Sequence, residues 1–235
     1  MNVLIACEES QEVCKAFREL GHNAYSCDLQ RPSGGHPEWH ICGDVKDVLN
    51  FDRRSAILFE TMDGEAHAIA GGCWDLLIAH PPCTYLTAAS AVRLFNKDHS
   101  IKDAVRHEKG YNAALFFNAV LRRSAAYRIA VENPVPLKCY DLPPYDQIIE
   151  PFMFGDPWKK RTCLWLQGLP KLYPTDIVEP LGLWVGSTSA RRDPGIKDRY
   201  VLHSNRDPRR RSKTFPGIAK AMAEQWGGGE TIWEA

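Results

Sequence analysis

The chain has 235 residues, with 29 Lys and Arg against 29 Asp and Glu and a hydrophobic share of 44%. This length fits one full catalytic fold, and a formal charge of zero is not that of a protein that coats a polyanion. No apolar run approaches the roughly 20 residues that span a bilayer. The apolar start is interrupted by Cys7, Glu8 and Glu9, unlike a signal peptide. We expect a soluble, cytoplasmic protein, and a monomer.

The eight cysteines show no C-x-x-C spacing, and a chain of this length needs no disulfides to hold a core. We therefore expect most of them to be reduced and buried. A zinc site built from Cys27, His36, His40 and Cys42 is an alternative, but their spacing fits no standard zinc finger. No metal is predicted.

Apolar runs and helical stripes alternate along the chain. Short runs typical of buried parallel strands occupy residues 2–6, 23–27, 74–79, 127–131 and 162–166. Apolar stripes with helical spacing occupy residues 11–20, 111–121 and 218–226. Strands separated by helices, with right-handed connections, predict an α/β fold with a doubly wound, mostly parallel sheet and helices on both faces.

Polar or unusual residues follow four of the predicted strands. They are residues 7–10, Asp28, residues 81–83 and residues 132–134. In a sheet of this kind ligands bind beyond the carboxyl ends of the strands. We therefore predict that these four segments line one cleft.

Two of the four segments carry groups that can do chemistry. Residues 80–83 (HPPC) follow a buried run, and two prolines would hold the Cys83 thiol in a set direction towards the cleft. The alternative is a strand terminator with a buried cysteine. Residues 132–134 (ENP) close the next run, where a carboxylate in a cleft can donate a proton. A turn or helix cap is the alternative there, because Asn-Pro favours both.

A thiol and a carboxylic acid on neighbouring strands suit one reaction in particular. A thiolate that adds to carbon 6 of cytosine, while an acid protonates or hydrogen-bonds nitrogen 3, makes carbon 5 nucleophilic. Carbon 5 can then take a methyl group from a sulfonium donor. In this interpretation Cys83 is the nucleophile and Glu132 engages nitrogen 3.

In these motifs and their order the sequence resembles the DNA cytosine-5 methyltransferases, especially the compact members found in phages and prophages. Residues 75–83 (DLLIAHPPC) resemble the family's Pro-Cys loop and residues 131–134 (VENP) its Glu-Asn motif. Residues 160–166 (KRTCLWL) are similar to the segment whose arginine helps to hold the flipped base. The resemblance implies an enzyme that methylates DNA from S-adenosylmethionine. It assigns catalysis and substrate contact to Cys83, Glu132, Arg161 and Asn133.

The cofactor side of the resemblance rests on three further segments. Residues 3–13 (VLIACEESQEV) lie where the family's cofactor loop belongs, although the usual glycines are absent. Residues 43–45 (GDV) look like its Gly-Asp element, and residues 214–226 resemble its last motif. The resemblance implies cofactor contacts by Ala6, Cys7, Glu8, Ser10, Asp28, Leu29, Asp44, Val45 and Pro81.

The resemblance also implies a division of the chain. Residues 1–167, completed by residues 213–235, would form the catalytic domain, and residues 168–212 a minimal target-recognition segment. That segment carries arginines that could meet phosphates: Arg191, Arg192, Arg209, Arg210 and Arg211. A surface excursion with ordinary exposed charges is the alternative. Residues 84–110 are predicted to be a mobile loop over the substrate, with a surface helix as the alternative.

Three other functions stay open at this stage. The substrate could be a cytosine nucleotide such as dCMP rather than DNA. The chain could also be a catalytically silent methyltransferase-like module that binds nucleic acid, although Cys83, Glu132 and Arg161 argue against this. A methyltransferase of exocyclic amines is a third possibility, and such an enzyme needs no thiol.

Overall fold

A computed structural model describes residues 1–180, 183–184 and 213–228. The strands in chain order are β1 (Asn2–Ala6), β2 (Asn23–Asp28), β3 (His40–Cys42), β4 (Ala56–Glu60), β5 (Ala66–Ala70), β6 (Leu76–Ala79), β7 (Ile129–Pro134), β8 (Gln147–Ile149), β9 (Trp158–Lys159), β10 (Thr162–Gln167) and β11 (Leu183–Trp184). The described α-helices are α1 (Glu12–Glu19), α2 (Ala91–Leu94), α3 (Ala104–Arg123) and α4 (Pro216–Gly227). None of these helices is long and apolar enough to cross a membrane.

Seven strands form one sheet in the order β3-β2-β1-β6-β7-β10-β8. The first five run parallel, and β10 runs antiparallel to both of its neighbours. The order reverses between β1 and β6, so the chain winds outwards from the middle of the sheet in both directions. The prediction of a doubly wound, mostly parallel α/β fold of the Rossmann-like type is confirmed.

The two faces of the sheet carry separate cores. Val3 and Ile5 of β1 face one way and pack in the same cluster as Phe17 of α1 and Met222 of α4. Leu4 faces the other way, into the cluster that contains residues of α3. Because successive side chains of a strand point to opposite faces, a continuous apolar run such as β1 can bury itself on both sides. Helices therefore cover both faces, as predicted.

Helix α3 begins earlier than the apolar stripe predicts. The side chain of Asp103 accepts a hydrogen bond from the backbone N–H of Arg106, which caps the helix at that end. The first two turns are mostly exposed and so carry no apolar periodicity. Residues 104–110 are thus helical, and the segment between β6 and α3 is shorter than the loop predicted over residues 84–110.

Residues 51–73 contain the antiparallel hairpin of β4 and β5. Phe59 of this hairpin packs against Tyr25 and Trp74, with ring centroids 4.9 and 5.8 Å apart. His67 packs against Tyr25 at 5.1 Å and against Phe59 at 5.3 Å. Trp74, directly before β6, is fully buried. The hairpin therefore covers one end of the α3 face of the sheet.

Helix α4 is seated on the chain before β9 through Gly217. A methyl group on Gly217 would lie 1.8 Å from the backbone oxygen of Phe154, which cannot move aside as a flexible side chain could. The Gly217 N–H also donates to Asp156 at 3.0 Å.

We therefore expect Gly217→Ala to lower the free energy of unfolding by about 2 to 3 kcal/mol, because overpacking outweighs the gain in helix propensity. Urea titration followed by circular dichroism measures the change. Gly43→Ala is the matched control, because nothing lies within 4 Å of the added carbon there. Equal stability of the two variants would contradict this seating of α4.

Candidate active site

The loops that follow β6 and β7 run side by side at the carboxyl edge of the sheet. Backbone hydrogen bonds join Ala88 N to Val135 O at 2.8 Å and Leu137 N to Leu86 O at 2.7 Å. Cys83 lies at the start of the first loop, where its carbonyl accepts from Leu86 and Thr87, and its side chain is partly exposed. The thiol is therefore on the edge of the sheet where the sequence predicts a cleft, and not in the core.

The same edge brings a histidine to Glu132. Ala79 of β6 pairs with Val131 of the parallel strand β7. The residues that come next in each chain segment, His80 and Glu132, therefore lie side by side. The Nδ1 atom of His80 lies 2.9 Å from Oε2 of Glu132. The two side chains are only 12% and 11% exposed, so the pair is screened from water.

The two groups shift each other's protonation. Burial acts against both charged forms, but the hydrogen bond to Glu132, its charge and the charge of Glu8 raise the pKa of His80. The hydrogen bond from His80 and the charge of Lys160 outweigh burial and lower the pKa of Glu132. Both shifts favour an imidazolium paired with a carboxylate. The pair stabilises the fold from the pH at which Glu132 ionises up to the pH at which His80 loses its proton.

Glu8 is committed to the start of helix α1. Its two carboxylate oxygens accept hydrogen bonds from Val13 N at 2.7 Å and Cys14 N at 3.2 Å, and the residue is 4% exposed. Burial raises the pKa of Glu8, and the charge of His80 and the two backbone bonds oppose this rise. Glu8 therefore acts on the site through its charge and through the helix that it caps.

A small depression lies beside Glu132. It lies between the sheet and the first turns of α4, and it is lined by Glu132, Lys160, Thr162, Thr214, Phe215, Ile218 and Met222. The Lys160 ammonium lies 5.9 Å from the centre of the Phe215 ring and donates to the carbonyl of Lys213 at 3.4 Å. A carboxylate, an ammonium group and an aromatic ring are thus among the groups that line this depression.

The loop after β1 takes its shape without glycine. Cys7 and Gln11 both have left-handed backbones, with φ of 59° and 61°. Gln11 is fully buried: its amide donates to Ser26 and to the carbonyl of His36, and its oxygen accepts from His36 N. Side-chain hydrogen bonds hold the turn that glycines allow in a Gly-rich loop.

Acidic groups gather around this loop. Burial first, and then the negative charges of Asp28 and Asp44, raise the pKa of Cys7 to about 12. Asp28 ends β2 and Asp44 begins the helical turn after β3. Leu29, next to Asp28, is 77% exposed. The two carboxylates make this end of the sheet locally acidic, which favours a ligand with a positive charge.

The remaining predicted site residues fall into three groups. Ala6, Ser10, Val45 and Pro81 are buried around the same edge. Arg161 is exposed immediately before β10, and Asn133 is buried, with Oδ1 lacking a partner among the described residues. Outside the described residues lie Arg191, Arg192, Arg209, Arg210 and Arg211.

His80 and Lys160 are the residues that sequence analysis missed. The available signal was strand periodicity: His80 is two residues beyond Ile78, which faces the α1 and α4 side, and Glu132 is two beyond Ala130, which faces the same side. Lys160 lies between two strands, β9 and β10, and no local pattern marks it.

The residues considered for zinc are engaged elsewhere. His40 is buried between Ser26 Oγ and the carbonyl of Gln30, each at 2.9 Å, and His36 stacks on Trp39 and pairs with Glu38. Within the described ranges no group of three His, Cys, Asp or Glu side chains could hold a metal ion. The eight cysteines all lie within residues 1–180 and form no disulfide. Three of them, Cys14, Cys27 and Cys163, are buried, so the prediction that most are buried is wrong.

No family model and no curated protein matches the chain. Two solved structures to which the chain is similar are a protein described as a DNA modification methyltransferase encoded within an E. coli prophage, and the Dnmt2 methyltransferase of S. pombe. The first is 11% identical with a TM-score of 0.41 over 79% of this chain and 53% of its own. The second is 12% identical with a TM-score of 0.37 over 71% and 48%. The chain thus spans about half the length of these structures, and the functional assignment rests on the site geometry.

Proposed function

We propose that the protein is a methyltransferase that transfers a methyl group from S-adenosylmethionine to carbon 5 of cytosine in DNA. The observation that carries the proposal is the placement of a partly exposed Cys83, in the loop that follows β6, and a largely screened Glu132, on the adjacent strand β7, at one edge of the sheet. The backbone bonds between the loops that follow these strands support it, because they hold the two segments in a fixed relation.

In the proposed reaction the Cys83 thiolate adds to carbon 6 of cytosine while Glu132 engages nitrogen 3. The addition moves electron density to carbon 5, which becomes the nucleophile. After carbon 5 has gained a methyl group, it loses its proton to a base, and the thiolate is expelled. Arg161, which is exposed before β10, is assigned to contacts with the cytosine ring or its phosphate. Asn133 is assigned to substrate contact at the neighbouring edge of the site.

The cofactor would lie against the loop after β1. Asp28 and Asp44 are assigned to its hydroxyl and amino groups and Leu29 to its ring, with the left-handed Cys7 shaping the loop. When bound, the cofactor supplies an electrophilic methyl group. The two carboxylates favour a ligand with a positive charge and disfavour a phosphate-bearing one.

The division into a catalytic domain over residues 1–167 and 213–235 and a reader over residues 168–212 is part of this proposal. The reader's arginines are assigned to DNA phosphates, which position a protein on a duplex without specifying sequence. A reader this small predicts a short target.

The direct test is incubation with cytosine-containing DNA and cofactor carrying a labelled methyl group, followed by nucleoside mass spectrometry. We expect labelled 5-methylcytosine. Labelled N4-methylcytosine or N6-methyladenine would contradict the thiol mechanism. Label in free dCMP with none in DNA would restrict the substrate to nucleotides.

A further inference from the structure

The proposed reaction needs a proton at cytosine nitrogen 3, and Glu132 by itself is a poor source of one. Its hydrogen bond to His80 and the charge of Lys160 outweigh burial and lower its pKa, so the resting carboxylate holds no proton near neutral pH. Within the described part of the chain, the side chain that hydrogen-bonds Glu132 is His80, with Nδ1 at 2.9 Å. The proton of the pair therefore lies on the imidazole.

We propose, on the basis of the proposed function, that His80 is a positioning residue that stores the proton which Glu132 hands to the cytosine ring. As Cys83 Sγ bonds carbon 6, the π electrons between carbons 5 and 6 move to carbons 4 and 5, and those between carbon 4 and nitrogen 3 move to nitrogen 3. The proton on Nδ1 of His80 passes to Glu132, and Glu132 in turn gives a proton to nitrogen 3. His80 is left neutral, and the proton returns when the thiolate leaves.

The second nitrogen of His80 allows the proton to be replaced. Nε2 is buried and has no hydrogen-bond partner within the described residues. An imidazole can take up a proton at one nitrogen and release one from the other without turning. Exchange of the stored proton would therefore take place at Nε2, while Nδ1 stays on Glu132.

The charges around His80 favour this storage. Glu132 from β7 and Glu8 from the loop after β1 favour the protonated ring, whereas burial and Lys160, between β9 and β10, oppose it. Glu8 cannot turn towards solvent, because both of its oxygens are bound to the first amides of α1. The net result is a histidine that keeps its proton to a higher pH than usual.

The test is the pH dependence of methyl transfer in a single turnover. In the wild type we expect an alkaline limb above the ordinary histidine range, where His80 loses its proton. In His80→Gln the amide still donates to Glu132 but stores no proton. The proton must then be carried by Glu132 itself, which loses it at a lower pH than a histidine paired with a carboxylate does. The alkaline limb should therefore move to lower pH. We expect a loss of at least about 10-fold at pH 8 and a smaller one at pH 6.

A second histidine–glutamate pair provides the matched control. His36 Nδ1 lies 2.9 Å from Glu38 Oε1, and Glu38→Gln, which removes the anion of this exposed pair, should leave the pH profile of methyl transfer unchanged. Loss by the same factor at every pH in His80→Gln would mean a structural role and would overturn the inference. If the wild type methylates no cytosine, the proposed function fails and the inference with it. If His80→Gln does not fold, the wild-type profile decides, because an alkaline limb inside the ordinary histidine range refutes the storage.

Discussion

Cys83→Ser is expected to abolish methyl transfer, with the single-turnover rate falling by at least about 1,000-fold. The change replaces one atom, and a hydroxyl near neutral pH carries almost none of the anion that a thiol can supply. Because Cys83 is only partly buried and lies in a loop, the fold should tolerate serine there. Transfer of labelled methyl to DNA measures the effect, with circular dichroism to verify folding.

Two controls make this expectation specific. Cys139→Ser changes another accessible thiol, one in the helical turn after β7, and should leave the rate unchanged. DNA containing 5-fluorocytosine should trap a covalent complex with the wild type and with Cys139→Ser but not with Cys83→Ser, because fluorine at carbon 5 cannot leave as a proton does. Full transfer by Cys83→Ser would exclude the adduct mechanism.

Glu132→Gln is expected to lower the rate by about 100- to 10,000-fold, the range typical of a lost general acid or base. Glutamine keeps the shape of the side chain but cannot accept and pass on a proton. It also leaves His80 without its anion in a buried place, so the pKa of His80 should fall. NMR titration of the imidazole would show this fall even if the variant is inactive.

The control for Glu132→Gln is Glu38→Gln, which removes the anion from the other histidine–glutamate pair. This pair lies on a surface turn, so neither the rate nor the folding should change. A rate for Glu132→Gln within a few-fold of the wild type would remove Glu132 from the mechanism.

The parts of the fold that the sequence predicted best are those with a clear apolar pattern. Strand β1 and helices α1 and α4 carry enough apolar residues for their period to be read directly, and the structure has them within two residues of the predicted limits. The short edge strands β3 and β8 were missed, since three residues give no period. The hairpin of β4 and β5 was missed because its exposed positions include Leu58 and several alanines, which blur the alternation of a half-buried strand.

The candidate site divides in the same way. Cys83 and Glu132 could be found because each comes after a buried apolar run that leads to the edge where ligands bind, although β7 itself continues through Glu132 to Pro134. The link from Glu132 to His80 could not be found, because it depends on which two strands are neighbours and in what register. The sequence also does not show that Glu8 caps α1. A carboxylate before a helix can accept hydrogen bonds from the first backbone N–H groups of that helix or can point outwards.

The loop after β1 has a consequence for the thermodynamics of ligand binding. A glycine-rich loop samples many shapes and loses this freedom when a ligand fixes it. Here the buried amide of Gln11 ties the turn to β2 and to the chain at His36 before any ligand arrives. Association at such a rigid receptor carries a small ordering cost, so its affinity comes mainly from the contacts themselves.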